Sequence, residues 1–263
     1  NYLVCVLTGM LFLGNVNFVP QLSLDQPWVI IGLGLGAIFI GTFYLMALTT
    51  QRLGMTVSSI ASKMSLVIPV VISLFVLDIE SRTLNTFNYI GISLALVAIL
   101  LSSLKKKKSR DIKIGLFTLL MPALVFIFGG VIDTSINFTS HKYLVAENEG
   151  VFPIVIFFSA LCFGTVILLV KRPKINGKSI IGGTILGIIN YFSIYFLVKS
   201  LGAFGNDGAV VYPVINVGII LISSFSSVLI FKEKLSNLNK LGLAMSIVAV
   251  LLIFFQEVTA QFQ

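Results

Sequence analysis

The chain has 263 residues, of which 57% are hydrophobic and only 11% are charged, and its mean hydropathy is +1.05. A soluble domain normally carries about 25% charged residues, so the composition excludes that class and predicts a membrane protein with several spans. The net charge of +8 does not indicate a nucleic-acid partner, because the basic residues form short clusters without interleaved aromatic residues.

Apolar runs of about 20 residues, the length that crosses a hydrocarbon core, recur nine times along the chain. They cover 1–19, 27–49, 54–77, 84–104, 112–137, 151–170, 179–200, 208–231 and 237–256. Short polar or Gly/Pro-containing segments connect these runs and leave no room for a soluble domain. The sequence therefore predicts an all-α membrane protein, folded as a bundle of nine helices.

The basic residues predict the orientation of this bundle. If the nine helices alternate in direction, 14 of the 18 Lys and Arg residues fall on one side. They are Arg52, Lys105, Lys106, Lys107, Lys108, Arg110, Lys113, Lys171, Arg172, Lys174, Lys178, Lys232, Lys234 and Lys240. We expect these loops to be cytoplasmic at the cell membrane, in contact with the lipid bilayer, and the C-terminus to lie outside.

An internal repeat relates the two halves of the chain. Glu80 and Glu233 are 153 residues apart, and each closes one apolar run before a polar turn and a similar final run. The segments "GLGLG" at 32–36 and "GTILG" at 183–187 are also about 150 residues apart. Their paired glycines predict close helix packing.

The repeat predicts three parts of the chain: a first repeat at 1–104, a basic cytoplasmic linker at 105–111 and a second repeat at 112–263. The second repeat contains five apolar runs and the first contains four, so we expect a parent protein of ten helices from which the first is missing here. Tandem units with an odd number of helices enter the membrane from opposite sides. Such an inverted-topology repeat is typical of secondary transporters.

The last two helices of each half carry a recognisable pattern. "SKMSLVIPVVISLFVLDIE" and "AVVYPVINVGIILISSFSSVLIFKE" precede "NYIGISLALVAILL" and "NKLGLAMSIVAVLL". This pattern resembles the EamA-type unit, which when duplicated makes up the drug/metabolite transporter superfamily. The resemblance implies two five-helix repeats around a central cavity that moves metabolites, amino acids, drugs, nucleotide sugars or lipid-linked sugars.

Lys63 is the only basic residue well inside a predicted span. It lies about nine residues past the start of its helix, or roughly 13 Å deep at 1.5 Å per residue. An ionisable side chain at such depth is costly and marks a functional candidate. Lys63 is therefore either a snorkelling or packing lysine or a cation that binds an anionic substrate, with Ser62 and Tyr44 as neighbours.

In the second repeat, the candidate substrate-binding residues are polar but uncharged. Tyr212 and Asn216 flank Pro213, while Asn190, Tyr191 and Tyr195 lie in the preceding run. Amides and phenols at this depth are candidates to orient a polar substrate by hydrogen bonds. The alternative for each of them is a hydrogen bond between helices.

Asp133 and Asn137 are candidates for coupling or gating. Asp133 is the only acidic residue plausibly within a span, and it is either a proton-coupling carboxylate, a gate partner for Lys199 or an interfacial cap. His141 is the only histidine and has no second ligand at metal-binding spacing. The sequence therefore predicts no metal, no cofactor and no catalytic group.

Two functional hypotheses follow. The first is a secondary transporter, not an enzyme, that moves a small-molecule metabolite of polar or anionic character by alternating access. The second is a lipid handler, either a flippase for lipid-linked headgroups or a lipid-modifying enzyme that uses Asp133 and His141. The enzyme requires these two side chains within hydrogen-bonding distance. The sequence leaves the identity of the solute and the oligomeric state open.

Overall fold

The computed structural model describes residues 1–14, 22–53, 55–77, 85–103, 116–171, 176–229, 237–253 and 255, and the regular secondary structure of these residues is entirely helical. The helices are α1 Tyr2–Leu13, α2 Pro27–Leu53, α3 Met55–Met64, α4 Val67–Phe75, α5 Thr86–Ser103, α6 Leu116–Lys142, α7 Val151–Lys171, α8 Gly177–Ala203, α9 Gly208–Leu229 and α10 Asn237–Ile253. The all-α prediction is confirmed for the described part of the chain.

Four of these helices, α2, α6, α7 and α8, are long and apolar enough to cross a membrane. Large apolar side chains are also exposed along the helices, including Phe196, Ile222 and Phe225. Extensive apolar exposure is unusual on a soluble monomer and is expected for side chains that face lipid. Helix length and exposed surface thus both agree with the membrane protein that the composition predicts.

The structure differs from the sequence prediction at 54–77. One continuous helix was expected there, but a turn at Ser65 and Leu66 separates α3 from α4, although Leu66 itself keeps right-handed helical angles of φ −60° and ψ −22°. The apolar run is continuous through the turn, so hydropathy alone does not reveal it.

The helices pack into two units. The first unit comprises Asn1–Tyr44 and Thr134–Asn206, and the second comprises Leu45–Asp133 and Asp207–Gln263. In the first unit, α1 packs against α7 and α8. In the second, α5 packs against α10, and α9 contacts α4, α5 and α10. Each unit therefore contains segments of both predicted repeats.

The glycine pairs of the sequence lie at close helix contacts in the first unit. A Cβ atom on Gly36 would lie 2.5 Å from the Ile156 carbonyl oxygen of α7, so only hydrogen fits there. Gly187 of the second pair lies against Asn1 and Val4 at the start of α1. The predicted packing role of both pairs is confirmed at these positions.

The contact between α5 and α10 combines a small residue with a buried amide. A Cβ atom on Gly91 would lie 2.9 Å from the Ala249 carbonyl oxygen. One turn earlier, the fully buried Asn88 amide donates to the Ile253 carbonyl at 2.6 Å. The Asn88 side-chain oxygen also accepts from the backbone N–H of Asn85 at 2.8 Å, so both ends of this amide are bonded.

Several residues behind the predicted repeat and orientation lie outside the described residues. They are Glu80, Arg82, Lys105–Lys108, Arg110, Lys113, Arg172, Lys174, Lys232, Glu233 and Lys234. The sidedness of the chain and the pairing of the two glutamates therefore stay predictions.

Candidate functional site

The break between α3 and α4 lies directly after Lys63. Pro69 explains its position, because proline lacks an N–H group and its ring clashes with the carbonyl four residues earlier, here that of Ser65. The Ser65 carbonyl instead accepts from the Ile68 N–H at 3.1 Å. The Leu66 N–H likewise reaches the Lys63 carbonyl at 3.4 Å, so the helical pattern tightens from i−4 to i−3 at this point.

Serine side chains donate hydrogen bonds to backbone carbonyl groups at and near the turn between α3 and α4. The Ser65 hydroxyl is buried and donates to the Ser62 carbonyl at 2.6 Å. One turn before Ser62, the Ser58 hydroxyl donates to the Met46 carbonyl of α2 at 3.2 Å. The first of these bonds supplies a partner for the Ser62 carbonyl, and the second joins α3 to α2.

Lys63 itself is half-buried in the last turn of α3. The C-terminal end of a helix carries a partial negative charge that stabilises a cation. Lys63 thus lies in the last turn of α3, immediately before the turn that separates α3 from α4 within a continuous apolar run.

Two glycines of α6 pack against this break, and the sequence analysis missed them. A Cβ atom on Gly129 would lie 2.8 Å from the Ser65 Oγ, and one on Gly130 would lie 2.7 Å from the Ile68 Cβ. The adjacent glycines in an apolar run are the only sequence signal for this contact. They allow α6 to approach both sides of the turn.

Tyr212 links α9 to the same stretch of α6. Its side chain is 2% exposed, and its hydroxyl donates to the Asp133 carbonyl at 2.5 Å. The Asn216 amide donates to the Tyr212 carbonyl within α9 at 3.0 Å. The second unit therefore contains five of the predicted site residues: Lys63, Ser62, Asp133, Tyr212 and Asn216.

The other predicted site residues belong to the first unit. The Asn190 amide donates to the Asn1 side-chain oxygen at 3.3 Å, and the buried Tyr191 hydroxyl donates to the Gly150 carbonyl at 3.1 Å. Tyr195 stacks on Tyr191 with ring centroids 5.9 Å apart. Tyr44 on α2 is largely exposed and Asn137 on α6 is fully buried, so no single cluster within this unit contains all five.

The charged partner of Lys199 is Glu149 and not Asp133. The Lys199 ammonium lies 2.8 Å from the Glu149 carboxylate, which is 14% exposed. Gly202 on the next turn of α8 is contacted by the same carboxylate, and a Cβ atom there would collide with it. The pair therefore joins the segment between α6 and α7 to the C-terminal end of α8.

Charge reversal at Lys199 and Glu149 should distinguish the energy of their ion pair from the effect of packing around the two side chains. Lys199→Glu places two carboxylates together and should lower stability by about 1 kcal/mol, because the lysine is partly exposed. Adding Glu149→Lys restores an opposite pair and should recover most of the loss. Thermal unfolding of the two single variants and the double variant measures this coupling, and strictly additive losses would contradict it.

The pairing that a lipid-modifying enzyme would need is absent from α6. Asp133 and His141 lie eight residues apart on this one helix, which separates them by about 12 Å along its axis. Their side chains cannot hydrogen-bond to each other across that distance. Among the described residues, no three His, Cys, Asp or Glu side chains are grouped to hold a metal ion.

Comparison with known proteins identifies a relative and a shared fold. No model of a protein family matches the chain. An uncharacterized protein of Haemophilus influenzae is 29% identical over 229 residues, which cover 86% of this chain and 75% of that protein. A solved crystal structure, described only as that of a protein, matches 97% of this chain and 88% of its own, with a TM-score of 0.64 and 14% identity. At that identity the match shows the fold alone.

Proposed function

We propose that this protein is a secondary transporter of a small polar or anionic solute. The observation that carries the proposal is the half-buried Lys63 directly before the turn at Ser65 and Leu66, where the helical hydrogen bonds change from i−4 to i−3. Transporters commonly bind their substrates at discontinuous helices, where the interrupted backbone lines a cavity instead of facing lipid. A half-buried cation beside such a break is suited to bind an anionic group.

The proposal extends to the architecture. It takes the chain as nine membrane-crossing segments, with α3 and α4 together forming one of them, arranged as two inverted EamA-like repeats of the drug/metabolite transporter superfamily with basic loops in the cytoplasm. The paired motifs around Glu80 and Glu233 and the glycine pairs of 32–36 and 183–187 support it. Alternating access then arises from the movement of one repeat against the other around the solute.

Lys63 supplies the cation in this mechanism, and neutral groups supply hydrogen bonds. Tyr212 and Asn216 bond to backbone carbonyls in the described conformation. The proposed cycle requires some of these bonds to exchange when α9 moves relative to α6. The bond between Tyr212 and the Asp133 carbonyl is the first candidate, because it joins these two helices.

Transport assays on reconstituted protein test the proposal. A panel of anionic and polar solutes is offered to vesicles that contain wild type, Lys63→Ala or Lys63→Arg. We expect Lys63→Ala to reduce transport of the accepted solute at least about tenfold, as when a charged hydrogen bond is lost, and Lys63→Arg to retain part of it. Lys178→Ala is the matched control, since Lys178 is exposed at the start of α8.

The outcome is decisive for the role of the cation. Unchanged transport in both Lys63 variants would show that the lysine only packs or snorkels. Equal losses in Lys63→Ala and Lys178→Ala would point to a general effect of removing positive charge. A wild-type protein that moves none of the solutes would contradict transport itself.

A further inference from the structure

Asn137 is a buried amide that has no hydrogen-bond partner among the residues that the structure describes. Its side chain is fully buried in α6, and neither Oδ1 nor Nδ2 meets a hydrogen-bonding group in the described part of the chain. The buried Thr134 Oγ1, one turn earlier, is likewise without a partner there. Two neighbouring polar side chains thus both lack hydrogen-bond partners in the described part of the chain.

The two residues lie on one face of α6, because positions three apart on a helix are neighbours. Ser140 continues this face by one more turn, and its hydroxyl donates to the Asn206 side-chain oxygen at 2.6 Å. On this face, the side chain of Ser140 is thus hydrogen-bonded, whereas those of Thr134 and Asn137 have no hydrogen-bond partner among the described residues.

Asn88 is a second fully buried amide in this chain, and its side chain is bonded at both ends. Asn88 is as fully buried as Asn137, but it donates to the Ile253 carbonyl and accepts from the Asn85 N–H. Buried polar groups in native proteins are nearly always bonded, and an unbonded one requires an explanation. A bound group that pairs with Asn137 provides that explanation.

The chemistry of the amide restricts what such a group is. An asparagine side chain offers one acceptor and two donors in a plane, so its complement is a group that both donates and accepts. A carboxylate has no proton to donate to Oδ1 and would place its negative charge beside that oxygen. A neutral carboxamide satisfies both ends of the asparagine.

We propose that Asn137, assisted by the Thr134 hydroxyl, binds a neutral carboxamide or an equivalent donor and acceptor group of the solute. This proposal rests on the proposed transport function and names one group of the substrate. The site is closed in the described conformation, so binding requires α6 or its neighbours to open.

Thermal unfolding of the purified full-length protein in detergent tests the site without transport. Asn137→Leu replaces an unbonded buried amide with an apolar side chain of similar size, so its Tm should equal or exceed that of wild type. Asn88→Leu is the matched control, and its Tm should fall by several degrees because the two hydrogen bonds of the Asn88 side chain are lost. A fall in Asn137→Leu as large as that in Asn88→Leu would overturn the proposal.

The change in Tm on addition of a small ligand gives a second test of the site. Acetamide and nicotinamide should raise the Tm of wild type, while acetate and nicotinate should raise it less. The carboxamide shift should disappear in Asn137→Leu and weaken in Thr134→Val. Carboxamides that shift wild type and Asn137→Leu equally, or that shift neither, overturn the site.

Transport then separates the two proposals. If wild type moves no solute but shows the Asn137-dependent shift, the proposed function fails and the binding site stands. If Asn137→Leu transports the accepted solute as well as wild type does, the site fails and the transport function stands.

Discussion

Replacing Gly36 by leucine is expected to destabilise the first unit more than any other single change considered. Even a Cβ atom at this position would lie 2.5 Å from the Ile156 carbonyl oxygen and 2.7 Å from the Ala160 backbone nitrogen. Backbone atoms cannot move aside as a flexible side chain can, so α2 and α7 would have to separate. We expect a loss of at least the roughly 1–3 kcal/mol that overpacking costs.

Gly34→Leu is the control on the same helix. Nothing lies within 4 Å of a Cβ atom on Gly34, so leucine there gains helix propensity without a clash. The two variants should therefore differ in Tm and in the fraction that elutes as monodisperse protein. Equal behaviour of Gly34→Leu and Gly36→Leu would show that the contact between α2 and α7 is not as close as described.

Replacing Pro69 by alanine is expected to reduce transport at least about tenfold while leaving the protein folded. Alanine restores the N–H that can bond to the Ser65 carbonyl, and it removes the ring that prevents a continuous helix. The helix would then run through the turn after Lys63 and bury the backbone groups that the break leaves irregular. Stability should change little, because the restored hydrogen bond and the loss of the buried Pro69 ring act in opposite directions.

Pro27→Ala provides the comparison for this result. Pro27 is the first residue of α2, where a missing N–H breaks no intrahelical bond, so its replacement should leave transport unchanged. Hydrogen exchange at residues 65–69 reports whether the helix has closed in Pro69→Ala. A closed helix with full transport would show that the break has no part in the transport cycle.

Much of the helical architecture could be predicted from local sequence. The run at 27–49 corresponds to α2 Pro27–Leu53, and the run at 179–200 corresponds to α8 Gly177–Ala203. These assignments succeed because a helix in lipid must be apolar along its length, and polar turns mark its ends. The run at 54–77 is helical at Met55–Met64 and Val67–Phe75, but the turn between them was not predicted because Pro69 distorts the backbone without changing the hydropathy.

The candidate site was only partly predictable. Lys63 is conspicuous in the sequence, since a charge inside an apolar run is costly wherever its helix packs. Gly129 and Glu149 were missed, because their roles depend on Ser65 and Lys199, which are distant in sequence. Asn137 was noticed for its polarity, but only its burial without a partner distinguishes it from Asn88.

The amino-acid sequence alone thus determined the apolar, membrane-protein character of the chain, most of its helices and the position of Lys63 within an apolar run. These properties follow from composition and from the length of each apolar run, which act residue by residue. The tertiary structure alone decided where the third predicted helix divides, which glycines lie at contacts, and which polar groups find partners. Hydrogen bonds and close packing depend on atoms from separate helices, and no local pattern specifies which atoms will meet.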